Sequence, residues 1–237
     1  MNAIVRNIPN SVTCLNLVAG CVAIIFAVQG RAEIGALEAW QWACVAIGVA
    51  AVADFMDGFC ARMLHAYSNL GKELDSLCDL VSFGVAPAMM VFHLVKELPG
   101  FPAWLAWGAL LIPVAGALRL AKFNIDTRQQ TSFIGLPIPA NAIFWIGWAA
   151  MLTGGAEILA NPIVFPIVLL LESWLMVSPL PLFSLKLHNL KWKGNEARYL
   201  LIVATAAFLF GFGLAGLMWL IVFYVALSQL PFAKKTE

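Results

Sequence analysis

Four aspartates lie inside stretches of the sequence that are otherwise apolar. Asp54 and Asp57 are three residues apart in one stretch, and Asp75 and Asp79 are four residues apart in the next. On an α-helix either spacing places both carboxylates on one face, and the short connection makes the two helices antiparallel neighbours. Oxygen ligands without histidine or cysteine suit hard cations such as Mg²⁺ or Mn²⁺. The spacing therefore predicts a metal site between two helices, an arrangement that assists displacement at phosphorus.

Two other interpretations of these aspartates are open. They are helix-end carboxylates or salt-bridge partners of Arg62 and Lys72, or they mark the path of a cation or proton transporter, since intramembrane carboxylates also line ion paths. Four converging carboxylates repel one another unless cations or protons neutralise them, which favours the metal site. A transporter needs carboxylates at mid-membrane that both faces can reach, whereas these cluster toward one end of each stretch.

The composition indicates which kind of element carries the aspartates. Of the 237 residues 62% are hydrophobic and 11% are charged, and the formal net charge is +1. The mean hydropathy is +0.88. These values exclude a disordered tail protein and a basic nucleic-acid binder, so no nucleic-acid partner is expected. They also argue against a soluble enzyme, which needs charged residues to cover its surface.

Apolar windows predict an all-α polytopic membrane helix bundle of about eight spans, forming one integral membrane catalytic domain over residues 1–237. A single long helix is the alternative for the last two windows, which are divided near Gly213 and Gly216. The windows are 12–29, 40–63, 74–95, 102–121, 137–153, 162–183, 199–213 and 215–232.

The basic residues predict the orientation of this bundle. With alternating loops, one side keeps only Arg31 and Lys96, and the other side carries twelve of the 14 basic residues. Lysine and arginine stay cytoplasmic during insertion, so we expect a multi-pass protein of the cytoplasmic (inner) membrane with both termini and the aspartates on the cytoplasmic side. The twelve residues are Arg6, Arg62, Lys72, Arg119, Lys122, Arg128, Lys186, Lys191, Lys193, Arg198, Lys234 and Lys235.

Residues 54–79 read DFMDGFCARMLHAYSNLGKELDSLCD. Without gap or mismatch they resemble the signature of the CDP-alcohol phosphotransferase family, D-x-x-D-G-x-x-A-R-x(8)-G-x-x-x-D-x-x-x-D. Eight fixed residues of four types at fixed spacing make the match specific. The resemblance implies a six-helix membrane catalytic core with a di-metal site at its cytoplasmic side, to which residues 199–232 add C-terminal spans. It also implies transfer of a phosphoalcohol group from a CDP-linked donor to a hydroxyl, with release of CMP.

The resemblance also assigns roles to individual residues. It implies that Asp79 takes the proton from the attacking hydroxyl, as a carboxylate within hydrogen-bond reach can do. It further implies that two Mg²⁺ or Mn²⁺ ions are bound by Asp54, Asp57, Asp75 and Asp79. Donor contacts are implied at Gly58, where the missing side chain leaves room for the nucleotide, and at Arg62, which can pair with phosphate. Ser68 matches a further donor contact, with a solvated loop hydroxyl as the alternative.

Three segments outside the signature resemble the bacterial and archaeal branch of the family that uses L-serine as acceptor. They are IPNSVTCLNLVAG at 8–20, GALRLAKFN at 116–124 and FIGLPIPA at 133–140. In the first segment Asn10 and Thr13 are candidates to hydrogen-bond the cytidine, with N-capping of the first helix as the alternative.

The middle segment supplies the candidate acceptor site. Arg119, Lys122 and Asn124 are candidates to bind the carboxylate of serine or a phosphate, with simple anchoring at the cytoplasmic face as the alternative for the two cations. The expected donor is CDP-diacylglycerol, held in membrane lipid. Other acceptors stay open, namely glycerol 3-phosphate, inositol phosphate and choline. The family resemblance also makes a homodimer an expectation.

Overall fold

The computed structural model describes residues 3–66, 68–125, 133–185, 192 and 194–230, without the side chains of residues 3–6 and 133. This part of the chain is an all-α polytopic membrane protein, as the hydropathy predicts. Some residues behind the orientation prediction lie outside the described side chains: Arg6, Arg128, Lys186, Lys191, Lys193, Lys234 and Lys235. Five described helical stretches are long and apolar enough to cross a membrane, although the last of them consists of two helices joined by a 3₁₀ turn: Asn7–Ala27, Ala39–Met63, Asn69–Lys96, Ala103–Ile125 and Glu196–Ser228.

The chain divides into two compact units, Met1–Ala117 and Leu118–Glu237. The division falls inside a helix, and the prediction of one domain over residues 1–237 stays a prediction. The described elements of the first unit are α1 (Ala3–Ala27), β1 (Glu33–Ile34), β2 (Leu37–Glu38), α2 (Ala39–Met63), α3 (Asn69–Asp79), a π-helical turn (Leu80–Val85), α4 (Ala86–Lys96), α5 (Ala103–Ala106), a 3₁₀ turn (Trp107–Leu110) and the start of α6 (Leu111–Ile125).

Helix α1 is the central element of the first unit, since it packs against α2, α3, the π-helical turn and α4. The antiparallel hairpin β1–β2 returns the chain from α1 to α2. A capping box starts α2, in which the Glu38 backbone N–H donates to Gln41 Oε1 at 2.8 Å. Both helices that carry the aspartates are thereby fixed against one common neighbour.

The predicted window 74–95 is one helical stretch, Asn69–Lys96, interrupted by the π-helical turn. In that turn the Ala86 N–H donates to the carbonyl of Val81, five residues back. Pro87 follows directly and has no N–H, and in a regular α-helix its ring would clash with the carbonyl four residues earlier. A wider turn before a proline relieves that clash, which gives the π-helix a local cause.

The second unit is also helical in its described part. Its elements are the end of α6, β3 (Phe133–Ile134), α7 (Ile138–Thr153), a 3₁₀ turn (Glu157–Ala160), α8 (Val164–Val177), β4 (Pro181–Leu182), α9 (Glu196–Phe212), a 3₁₀ turn (Gly213–Ala215) and α10 (Gly216–Ser228). β3 and β4 pair antiparallel. The predicted window 162–183 is longer than α8, because Pro179 and Pro181 cannot continue a helix.

The last two predicted windows are two helices rather than one. The rings of Phe208 on α9 and Phe223 on α10 have centroids 6.1 Å apart. In a continuous helix their α-carbons would stand about 22 Å apart, at 1.5 Å per residue. Gly213 makes the reversal possible with a φ of +57°, a conformation that favours glycine. The alternative of a single long C-terminal helix is therefore wrong.

We predict that Gly147→Ala destabilises the protein by about 1–3 kcal/mol, because overpacking at a backbone contact forces the helices apart. A Cβ at Gly147 on α7 would lie 2.8 Å from the carbonyl carbon of Leu217 on α10. Gly211→Ala on α9 is the matched control, since a Cβ there meets no atom within 4 Å. Thermal unfolding in detergent measures both. Equal melting temperatures for the two variants would contradict the close α7–α10 contact.

Candidate active site

Three of the four predicted aspartates meet between α2 and α3. Asp54, Asp57 and Asp75 each contribute a carboxylate oxygen, and these oxygens all lie within 4.8 Å of one another. Asp57 is 7% exposed, and the other two are half-buried. The spacing of three residues puts Asp54 and Asp57 on the face of α2 that looks toward Asp75. The sequence prediction that the two acidic faces converge is confirmed for these three residues.

The donor set of this cluster suits a divalent metal ion. Among the described residues, Asp57 Oδ2 and Asp75 Oδ1 are buried and have no hydrogen-bond partner. Buried carboxylate oxygens without partners are costly, and neighbouring carboxylates add repulsion, so a hard cation would satisfy both. In the described part of the chain an ion pair joins Arg31 to Glu38 at 3.3 Å. The salt-bridge interpretation of the aspartates stays an alternative.

Asp79 is held differently from the other three. It is the last residue of α3, is 8% exposed, and does not belong to the cluster within 4.8 Å. Its Oδ1 accepts a hydrogen bond from Nδ2 of Asn16 on α1, at 3.1 Å. Sequence reasoning did not single out Asn16, although an asparagine inside an apolar window was an available signal.

Six of the predicted site residues line one cavity of about 220 Å³ in the first unit. They are Asn10, Thr13, Asp57, Gly58, Ser68 and Asp75. The cavity thus joins the polar side of α1 to the metal-binding side of α2 and α3. A Cβ at Gly58 would lie 3.7 Å from Arg62 Nη1 and near no other atom, so the position is open toward the cavity. Arg62 stands beside that opening.

Asn10 and Thr13 lie within α1 and not at its start. The helix begins at Ala3, so the N-capping interpretation of these two residues is wrong. Thr13 Oγ1 donates to the carbonyl of Pro9 at 3.0 Å, and Asn10 Nδ2 donates to Asn7 Oδ1 at 3.4 Å. Both side chains bond locally and face the cavity from one helix.

Ser68 starts α3 as its N-cap. Its Oγ accepts from the Gly71 N–H at 2.9 Å, so it is a structural cap rather than a solvated loop hydroxyl. A Cβ at Gly71 would come within 3.0 Å of Asn10 Oδ1 and 3.1 Å of Ser68 Oγ. The missing side chain at Gly71 therefore lets the first turn of α3 approach α1 and close one side of the cavity.

The candidate acceptor residues belong to the second unit. Arg119 is 6% exposed, its Nε donates to the carbonyl of Leu136 at 2.9 Å, and its guanidinium lies 5.3 Å from the centroid of the Phe123 ring. Lys122 Nζ donates to the carbonyl of Val177 at 3.2 Å. Asn124 is half-buried in the last turn of α6. The burial of Arg119 exceeds what an anchoring cation needs, and the binding of an acceptor by these residues stays a prediction.

We predict that the purified protein binds Mn²⁺ without substrate and that Asp75→Asn weakens this affinity at least about tenfold. Removing one of three charged ligands lowers the charge on which divalent-cation affinity depends. Electron paramagnetic resonance of free Mn²⁺ during a titration measures the affinity. Glu73→Gln is the matched control, because Glu73 lies two residues away on the exposed side of α3. Unchanged affinity in the Asp75→Asn variant would contradict the site.

Comparison with known proteins agrees with the signature. The sequence model of the family described as CDP-alcohol phosphatidyltransferase matches residues 6–178. A Bacillus subtilis protein named CDP-diacylglycerol–serine O-phosphatidyltransferase is 40% identical over 135 residues, which are 57% of this chain and 71% of that relative. Relatives of the same name are 38% identical over 151 residues in Mycobacterium leprae (61% of this chain, 47% of the relative) and 33% identical over 248 aligned residues in Mycobacterium bovis (97% and 79%). The chain belongs to the CDP-alcohol phosphatidyltransferase family.

Proposed function

We propose that this protein transfers the phosphatidyl group of CDP-diacylglycerol to the hydroxyl of L-serine, giving phosphatidylserine and CMP. The observation that carries the proposal is the meeting of Asp54, Asp57 and Asp75 at the wall of a polar cavity. The names of the three relatives support serine as the acceptor. Glycerol 3-phosphate, inositol phosphate and choline are the competing acceptors for the same chemistry.

The cavity in the first unit is the proposed binding site for the CDP part of the donor. Asn10 and Thr13 present amide and hydroxyl groups to it, which suit the hydrogen-bonding edge of a cytosine or a ribose. Gly58 leaves its wall open, and Arg62 beside it can form a charge-assisted pair with a phosphate. The Ser68 hydroxyl retains donor capacity while it caps α3, so it can also contact the donor.

Asp54, Asp57 and Asp75 are the proposed holders of two Mg²⁺ or Mn²⁺ ions, with Asp79 as a further ligand. When bound, such ions neutralise phosphate charge and stabilise a departing phosphate group. The unpartnered oxygens of Asp57 and Asp75 support this assignment. The aspartates cannot all keep their charges close together in a low-dielectric site without an added cation.

Asp79 is the proposed general base. A serine hydroxyl is a weak nucleophile, and a carboxylate that takes its proton makes it able to attack. The serine oxygen then forms a bond to the lipid-linked β-phosphorus, and the bond between that phosphorus and the oxygen of CMP breaks. The proton moves to Asp79, and CMP leaves with the electron pair of the broken bond.

Arg119, Lys122 and Asn124 are the proposed acceptor-binding residues. A guanidinium binds a carboxylate through two parallel hydrogen bonds, which suits the amino-acid end of serine. The Nε of Arg119 already donates to Leu136, so its binding to the FIGLPIPA segment and its binding to an acceptor would be linked.

The protein is a multi-pass membrane protein, and we propose the cytoplasmic membrane as its location, with both termini and the aspartates on the cytoplasmic side. The bias of twelve among 14 basic residues supports this orientation. The acyl chains of the donor would then stay in the inner leaflet while its nucleotide enters the cavity. A homodimer stays a prediction that a molar-mass measurement in detergent would test.

The first test is a panel of radiolabelled acceptors offered to the purified protein with CDP-diacylglycerol and Mg²⁺ or Mn²⁺. We expect labelled lipid and CMP with serine, and at most trace transfer with glycerol 3-phosphate, inositol phosphate or choline. Chelation by EDTA should stop the reaction, because the aspartates then lack a counter-charge. Turnover that uses none of these acceptors and persists in EDTA would refute the proposal. Cation flux in proteoliposomes without donor lipid would favour the transporter instead.

The second test is Asp79→Asn, which replaces the proposed base by an amide of the same shape. We expect kcat to fall by about 10²–10⁴, the range typical of general base catalysis, while the variant keeps its melting temperature. Product formation at saturating serine and donor measures the effect. Glu73→Gln, an exposed change on the same helix, should leave kcat unchanged. Near-normal activity of Asp79→Asn would exclude its role as base.

A further inference from the structure

Asn16 puts an amide into the apolar middle of α1, where its side chain is 0% exposed. Burying an amide without full hydrogen bonding costs free energy, and polar residues inside membrane helices usually serve function. Its Oδ1 has no hydrogen-bond partner among the described residues. Its Nδ2 donates to Oδ1 of Asp79, and this hydrogen bond is the interaction for which the amide is buried.

The direction of the bond matters for the chemistry of Asp79. Asn16 Nδ2 is a donor and an ionised carboxylate only accepts, so the amide orientation follows from the partner. The opposite orientation would set the amide oxygen against a carboxylate oxygen. With Oδ1 engaged by Asn16, Oδ2 of Asp79 is left to accept a proton from a substrate hydroxyl.

A second hydrogen bond fixes Asn16 itself. Ser82 Oγ donates to the backbone carbonyl of Asn16 at 3.0 Å, and Ser82 is fully buried. One turn further along α1, a Cβ at Gly20 would lie 2.9 Å from the Cα of Ser82. The two backbones are therefore in contact, and α1 is held where the Asn16 amide reaches Asp79.

Asp79 and Ser82 are three residues apart, so a helical turn places both side chains on the face toward α1. Asp79 is the last residue of α3, and Ser82 belongs to the wide turn Leu80–Val85 that follows. A π-turn changes the direction of side chains relative to a regular helix, and such turns are frequent at functional sites. Asp79 accepts a hydrogen bond from the side chain of Asn16, and Ser82 donates one to the backbone carbonyl of Asn16.

We propose that Asn16 is a positioning residue for Asp79: its amide holds Oδ1 so that Oδ2 faces the hydroxyl to be deprotonated. This inference rests on the proposed function, in which Asp79 is the general base. Asn16 touches neither substrate nor phosphate in this role. A catalytic carboxylate displaced by about 1 Å can lose roughly a hundredfold in rate.

The test is a double-mutant cycle with Asn16→Leu and Asp79→Glu, analysed as kcat and KM for donor and serine. Leucine keeps the branched shape of asparagine and removes the donor, and glutamate keeps a base but moves it. We expect Asn16→Leu alone to lower kcat by about 10- to 100-fold with each KM within about threefold. In the Asp79→Glu background it should lower kcat by no more than about threefold, because residues that act as a unit are not additive.

Two controls separate positioning from stability. Ser228→Ala removes a buried helix hydroxyl that donates to Tyr224 O at 2.7 Å in the second unit, so it should lower the melting temperature without changing kcat. Binding of CDP to Asn16→Leu, measured by calorimetry with Mg²⁺ present, should equal that of the wild type. If Asn16→Leu does not fold, Asn16→Ala replaces it in the cycle.

The outcomes also distinguish this inference from the proposed function. The positioning role is overturned if the two losses in kcat multiply in the double variant, or if the kcat of Asn16→Leu alone lies within about threefold of the wild type. Neither result contradicts the proposed serine transferase activity. A wild type that uses another hydroxyl acceptor overturns serine as the substrate, and the same cycle run with that acceptor still decides the role of Asn16. A wild type with no transferase activity overturns both.

Discussion

Repulsion among carboxylates that are kept out of water is the constraint on which the first unit depends. Asp54, Asp57 and Asp75 bring oxygens within 4.8 Å of one another. Two unit charges about 4 Å apart interact by about 4 kcal/mol at an effective dielectric constant of about 20, so three such pairs weigh heavily against folding. The contacts of α1 with α2, α3 and α4 oppose this repulsion, and a bound cation would remove it. Stability and metal binding are therefore linked through the same three side chains.

The parts of this arrangement that depend on local spacing could be predicted from the sequence. Separations of three and four residues place aspartates on one face of any helix, and the apolar windows indicate where the helices are. Each of the eight predicted windows overlaps a helical segment of the described chain, with ends that differ by several residues. The place of Gly58 in the cavity wall could be predicted in the same way, since Gly58 lies on the same helical face as Asp54 and Asp57.

The parts that depend on contacts between distant segments could not be predicted. Asn16 and Asp79 are 63 residues apart in sequence, and the pairing of one amide with one carboxylate follows only from how α1 packs. The π-helical turn could not be predicted either, because Pro87 indicates a distortion of the helix but not its type. Ser68 and Thr13 show a related difficulty, since a hydroxyl near a helix start fits a cap, a loop or a helix interior equally well until the first helical residue is known.

The reversal at Gly213 has a consequence for the lipid around the C-terminal helices. α9 has 17 residues and α10 has 13, so they are about 26 Å and 20 Å long at 1.5 Å per residue. The hydrocarbon core of a typical bilayer is about 30 Å thick. If both helices cross, the mismatch is met by a locally thinner bilayer, by flanking side chains that reach the interface, or by association with another helix. In each case a thicker bilayer would raise the free-energy cost of inserting these two helices, so lipids with longer tails would fit them less well.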